Sequence, residues 1–181
     1  MIITLTGFMG CGKSSVGRCL SELLCCPFMD LDAVIEESQG RSIPDIFAVE
    51  GEAAFRQMEV EALSRIIEAQ QLRGNVVVAL GGGAVMTPEC AELVRENTLC
   101  VYLRASIDTL TERLANETGK RPLLSDTHNQ SIGNCMLHKR IETLLSQRSA
   151  TYENTASIII DTDGKSIDQI CTEILKLSPT N

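Results

Sequence analysis

Gly7-Phe8-Met9-Gly10-Cys11-Gly12-Lys13-Ser14-Ser15 is the stretch that decides the fold. An apolar run, Ile2-Ile3-Thr4-Leu5-Thr6, comes before it, and a helical pattern follows from about Ser14. The spacing fits G-x-x-x-x-G-K-[ST], a strand–loop–helix unit that cradles phosphates. Backbone N–H groups in such a loop point into one concavity. The following helix adds the partial positive charge of its N-terminus. Gly10, Cys11, Gly12 and Ser15 belong to this nest. Lys13 supplies a mobile charge for the outer phosphates, and Ser14 offers a hydroxyl to Mg²⁺. The competing reading is a chance Gly-rich turn, and the position between a strand and a helix argues against it.

Working outward, strand and helix patterns alternate. Residues 2–6 read as a strand and 14–25 as a helix with Val16, Cys19, Leu20, Leu23 and Leu24 on its apolar face. Residues 27–32 read as a short strand ending in two carboxylates, and 33–38 as a helix broken at Gln39-Gly40. Residues 43–50 and 52–71 read as a short and a long helix. Val76-Val77-Val78-Ala79-Leu80 is continuously apolar, as in a strand buried on both faces. Pro88 opens a helix to about Glu96, 99–103 is another buried strand, and Ser106 caps the next helix. The polar stretch 116–131 reads as a linker or as a lid over a ligand. Helical periodicity resumes over 132–152, followed by a strand at 157–161 and a final helix from the Ser166 cap to Lys176. The expected fold is therefore α/β, with a mainly parallel sheet of five strands and helices on both faces.

Ligands of such sheets gather beyond the carboxyl ends of the strands. The phosphate loop follows strand one, Asp30 and Asp32 end strand two, and Gly81-Gly82-Gly83 follows the 76–80 strand. All should share one crevice. A carboxylate there can hold the water ligands of Mg²⁺, and a second can orient an alcohol or take its proton. The alternative for the pair is a turn in which Asp32 caps a helix. Three successive glycines let main-chain amides approach a ligand closely. Arg56, Arg121 and Arg148 suit bidentate recognition of carboxylate or phosphate, although spacing alone more often marks a solvated surface arginine.

Bulk properties narrow the classes. A chain of 181 residues, 44% hydrophobic and 22% charged, suits one domain with a sizeable core. A net charge of −8 argues against a nucleic-acid surface. No apolar stretch approaches the roughly 20 residues of a membrane span. No basic region precedes the first apolar run, so a secretory signal is not expected. The eight cysteines show neither a C-x-x-C pair nor zinc-site spacing. A reducing, cytoplasmic location and mostly buried cysteines are the expectation. Cys11, inside the phosphate loop, is expected to be open to alkylation.

Taken in order, the motifs G-F-M-G-C-G-K-S-S (7–15), M-D-L-D (29–32), S-I-P-D-I-F (42–47), G-E-A-A-F-R (51–56), L-G-G-G-A-V (80–85), R-P-L-L (121–124) and R-S-A-T-Y (148–152) resemble those of the shikimate kinases over nearly the whole chain. The resemblance implies a three-layer αβα kinase domain over 1–181, a substrate-binding helical region at about 32–72 and a mobile lid at about 115–131. It implies ATP-dependent phosphorylation of the 3-hydroxyl of shikimate using Mg²⁺. Nothing in the sequence demands more than a monomer, and charge and hydropathy point to no nucleic-acid or membrane partner. It implies that Lys13 and Arg121 neutralise the transferred phosphoryl group. Ser14 and, through water, Asp30 would hold the metal, and Arg113 would neighbour the adenine. Asp32 would bind the substrate hydroxyls, Arg56 and Arg148 the carboxylate, and Gly81, Gly82 and Gly83 would line the pocket. Arg148-Ser149-Ala150-Thr151-Tyr152 lacks the proline of the familiar R-x-P-L-Y stretch, so the helix there is expected to continue further. Competing readings are another small-molecule kinase such as a gluconate kinase, a nucleotide-binding regulator that transfers nothing, and a thiol-based redox sensor.

Overall fold

A computed structural model describes residues 1–70, 74–115 and 134–178. Its elements run β1 (Ile2–Thr6), α1 (Lys13–Leu23), β2 (Phe28–Asp30), α2 (Leu31–Gln39), α3 (Ile43–Gln70), β3 (Val76–Ala79), α4 (Pro88–Asn97), β4 (Leu99–Arg104), α5 (Ile107–Ala115), α6 (Asn134–Thr155), β5 (Ile158–Asp161) and α7 (Ile167–Leu177). The five strands form one sheet in the order β2-β3-β1-β4-β5, and every pairing is parallel. The chain moves one way across the sheet between β1 and β2 and the other way at each later crossover. Right-handed connections therefore put α1 on one face and α3 to α6 on the other. α7 returns to pack on α1.

The strands are apolar because both faces are covered. β1, β3 and the middle of β4 are buried throughout, and Leu5, Val76, Val77, Val78, Val101 and Leu103 have no exposed surface. Register then places the site. Leu5 pairs with Ala79, and Ala79 with Asp30, so the segments after β1, β2 and β3 leave the sheet side by side.

Two local readings change. β2 ends at Asp30, between the two carboxylates, and the helix cap is Asp30 instead of Asp32: its side chain accepts from the Asp32 amide at 3.2 Å. The helix expected to continue past 148–152 does so: α6, described from Asn134, runs through them to Thr155. Four of the eight cysteines are buried, Cys25 and Cys135 are exposed, and Cys11 is 1% exposed, so a water-borne alkylating agent does not reach its sulfur in this conformation. The expected break at Gly51 stands: its φ of 82° and ψ of 177° interrupt α3. Among the described residues no helix is long and apolar enough to cross a membrane. Apart from Ala115, the expected lid and its Arg121 lie outside the described residues.

Candidate active site

The phosphate loop joins the central strand β1 to α1. Lys13 folds back over it, with Nζ donating to the carbonyls of Gly7 at 2.8 Å and Phe8 at 3.1 Å. Ser14 and Ser15 are exposed at the start of α1, behind Gly12. The Ser14 hydroxyl donates to Asp30 Oδ2 at 2.8 Å. A hydroxyl and a carboxylate thus meet beside the nest. Mg²⁺ prefers hard oxygen ligands and keeps most of its waters, so this pair is the kind of donor set it uses beside a polyphosphate. Arg113 reaches the loop from α5 and donates to the Gly10 carbonyl at 3.2 Å.

Across the rim, each glycine after β3 meets a different group. At Gly81 an added Cβ would stand 2.6 Å from Glu59 Oε1 and 2.8 Å from Asp32 Oδ1, so two carboxylates crowd that α-carbon. The Gly82 carbonyl accepts from Arg148 at 3.4 Å and from the Tyr152 hydroxyl. The Arg56 guanidinium rests against Gly83, where a Cβ would fall 2.4–2.7 Å from its nitrogens and central carbon. An added Cβ on Gly82 would lie 3.3 Å from the Met9 amide nitrogen. The glycine loop and the phosphate loop are therefore in direct contact.

Arg56 is held by two carboxylates of its own helix, Glu52 at 2.8 Å and Glu59 at 2.7 Å. The Glu59 side chain has no exposed surface. Burial pushes its carboxyl up to about 7; Arg56 opposes this, while Asp32 and Glu52 reinforce it. A group that titrates near neutrality beside an arginine and an aspartate marks a chemically tuned site.

A family model described as shikimate kinase matches residues 9–178. The shikimate kinase of Chlorobium chlorochromatii is 41% identical over 175 residues, spanning 97% of this chain and 89% of that protein. The shikimate kinase of Thermus thermophilus is 41% identical over 174 residues, spanning 96% and 88%. The chain belongs to the shikimate kinase family. Among solved structures, the shikimate kinase from Acinetobacter baumannii in complex with shikimate superposes with a TM-score of 0.85 at 33% identity, covering 97% of this chain and 91% of that one. A gluconokinase from Sinorhizobium meliloti reaches a TM-score of 0.54 at 23% identity, a likeness of fold alone.

In this shikimate kinase family member, Gly10, Cys11, Gly12, Lys13, Ser14, Ser15, Asp30, Asp32, Arg56, Gly81, Gly82, Gly83, Arg113 and Arg148 all lie along one rim, and Arg121 lies outside the described residues. Two side chains went unread in the sequence. Glu59 left a signal: Phe55, Glu59, Leu63, Ile66 and Ile67 form the buried stripe of α3, so a carboxylate occupies an apolar position. Tyr152 left only its spacing, four residues after Arg148 on one helix face.

Proposed function

We infer that this chain transfers the γ-phosphoryl group of ATP to the 3-hydroxyl of shikimate, giving shikimate 3-phosphate and ADP. The observation that carries the reading is the meeting of Arg56 and Arg148 with Gly82-Gly83 directly beside the phosphate loop. Two guanidinium groups at one loop suit a small organic acid. The adjoining nest suits a polyphosphate. An acceptor held by its carboxylate presents its hydroxyl toward the nest.

Phosphoryl transfer depends on alignment and charge stabilisation more than on covalent chemistry. Lys13 exchanges its hold on the Gly7 and Phe8 carbonyls for phosphate oxygens. Loop amides take the remaining charge. Asp32 accepts a hydrogen bond from the acceptor hydroxyl and either orients it or takes its proton. Ser14 and Asp30 would hold Mg²⁺, which when bound neutralises phosphate charge. Arg121, within the proposed lid, neutralises negative charge on the transferred group. The α2–α3 region supplies the acceptor side, with Glu52 and Glu59 keeping Arg56 extended. Fixing two reactants in this way is worth roughly 7–11 kcal/mol in favourable cases.

The test is a coupled assay with Mg-ATP across shikimate, quinate, gluconate and nucleoside monophosphates. Shikimate 3-phosphate should form in step with ADP. Arg56→Ala should raise the shikimate KM at least tenfold, as loss of a charge-assisted pair implies, and leave the ATP KM within about twofold. Equal effects on both substrates would refute the carboxylate clamp.

A further inference from the structure

We propose that Tyr152 is a positioning residue for the acceptor: its hydroxyl fixes the Gly82 peptide and, with it, the Arg148 guanidinium and the Gly83 amide. The proposal rests on the acceptor reading given above.

α6 runs without a break through 148–152, so Arg148 and Tyr152 stand one turn apart on the same face. Both donate to a single oxygen, the Gly82 carbonyl. The arginine contact, at 3.4 Å, is at the long limit for an N–H donor. The phenol is therefore the firmer anchor. The Tyr152 side chain is fully buried, and its ring stacks on Tyr102 of β4 at 5.1 Å with 29° between planes. Rotating the ring away would empty core volume, so the hydroxyl is fixed in place. Burial also raises its pKa and keeps it a donor.

A buried phenol needs some acceptor simply to avoid desolvation cost. What sets this one apart is the acceptor it uses. Gly82 is the middle of the loop on which both arginines converge, and its α-carbon abuts the phosphate loop. A trans peptide is planar, so pinning the Gly82 carbonyl also fixes the Gly83 N–H on the opposite edge. That amide belongs to the residue against which Arg56 rests. One hydroxyl thereby sets the relation between both arginines and the loop.

Tyr152→Phe keeps the ring and deletes only the hydroxyl. With Mg-ATP and shikimate, its shikimate KM should rise ~5–10-fold, the kinetic equivalent of one neutral hydrogen bond. Its ATP KM should stay within about twofold, and kcat should fall by less than the shikimate KM rises. A lowered Tm with shikimate KM within twofold of the wild type would make Tyr152 a core side chain only and overturn the proposal. Parallel rises in both KM values would overturn it as well. The Tm increase produced by shikimate reads the same affinity without turnover, and so covers a variant too slow to assay. Arg148→Lys and Arg56→Lys separate this proposal from the reading beneath it. If both bind shikimate as the wild type does, the clamp falls and the proposal with it. If both lose affinity while Tyr152→Phe does not, the tyrosine role alone fails. In the Tyr152→Phe/Arg148→Lys double variant, the shikimate KM should rise less than the product of the single effects, because both groups act on one carbonyl. A fully multiplicative rise would reject the shared anchor.

Discussion

A methyl group on Gly83 would fall 2.4–2.7 Å from the guanidinium of Arg56. The backbone at Gly83, with φ of −114° and ψ of −1°, accepts alanine. The obstructed group is the far end of a long side chain, which can swing away. Gly83→Ala should therefore leave Tm within a few degrees of wild type yet raise the shikimate KM ~10-fold or more, the worth of a misplaced charge-assisted contact. Unchanged KM with an altered Tm would refute the role assigned to this contact. Glu59 makes a second prediction at this scale. Its carboxyl is raised by burial from 4.5 to about 7, so its stabilising, protonated form is complete below about pH 4.5 and is lost as pH rises through about 7. Wild type should lose stability relative to Glu59→Gln between pH 5 and pH 8, in thermal melts at matched ionic strength. An anionic acceptor nearby favours the protonated form further. Shikimate affinity should thus weaken as pH rises through 7, and the trend should flatten in Glu59→Gln. Arg56, Glu52, Asp32 and the buried Cys90 thiol are the other titratable groups coupled to this carboxyl or to its partner. A pH profile identical in wild type and variant would remove Glu59 as its source.

Among the elements, α3 shows how one backbone angle positions a functional side chain. Gly51 takes φ of 82° and ψ of 177°, a region essentially reserved for glycine. The break lets the Ile43–Glu50 arm turn away while the following arm presents Arg56 to the rim and buries Phe55, Glu59 and Leu63. No atom lies within 4 Å of an added Cβ, so the cost of Gly51→Ala is backbone strain alone. It should destabilise by ~1–3 kcal/mol, seen as a fall in Tm, and raise the shikimate KM more than the ATP KM. A melting curve superimposable on wild type would show that the kink is not required. The end of β2 is decided in the same local way. Asp30 caps α2 and also receives the Ser14 hydroxyl, so one carboxylate closes a helix and faces the phosphate loop.

For the whole molecule, the order β2-β3-β1-β4-β5 brings three loops, distant in sequence, to one edge. Hydrophobic runs, glycine and proline punctuation and the 3.6-residue period made the alternation of strands and helices readable, and the parallel sheet follows from connection rules. The Gly51 break and the Ser166 cap, with its full capping box on α7, were legible too, because each is a local signal. The boundary between Asp30 and Asp32 was not, since strand and cap compete there within three residues. Nor was the burial of Cys11, which depends on what packs over the loop. By itself the chain determined the αβα architecture, the phosphate loop and a shared rim, because these arise from covalent order, chirality and periodic burial. Only tertiary structure decided which groups meet there: Glu59 against Gly81, Arg56 on Gly83, Tyr152 and Arg148 on Gly82. Those contacts join residues from α3, the loop after β3 and α6, and no one-dimensional period encodes the distances between separate elements.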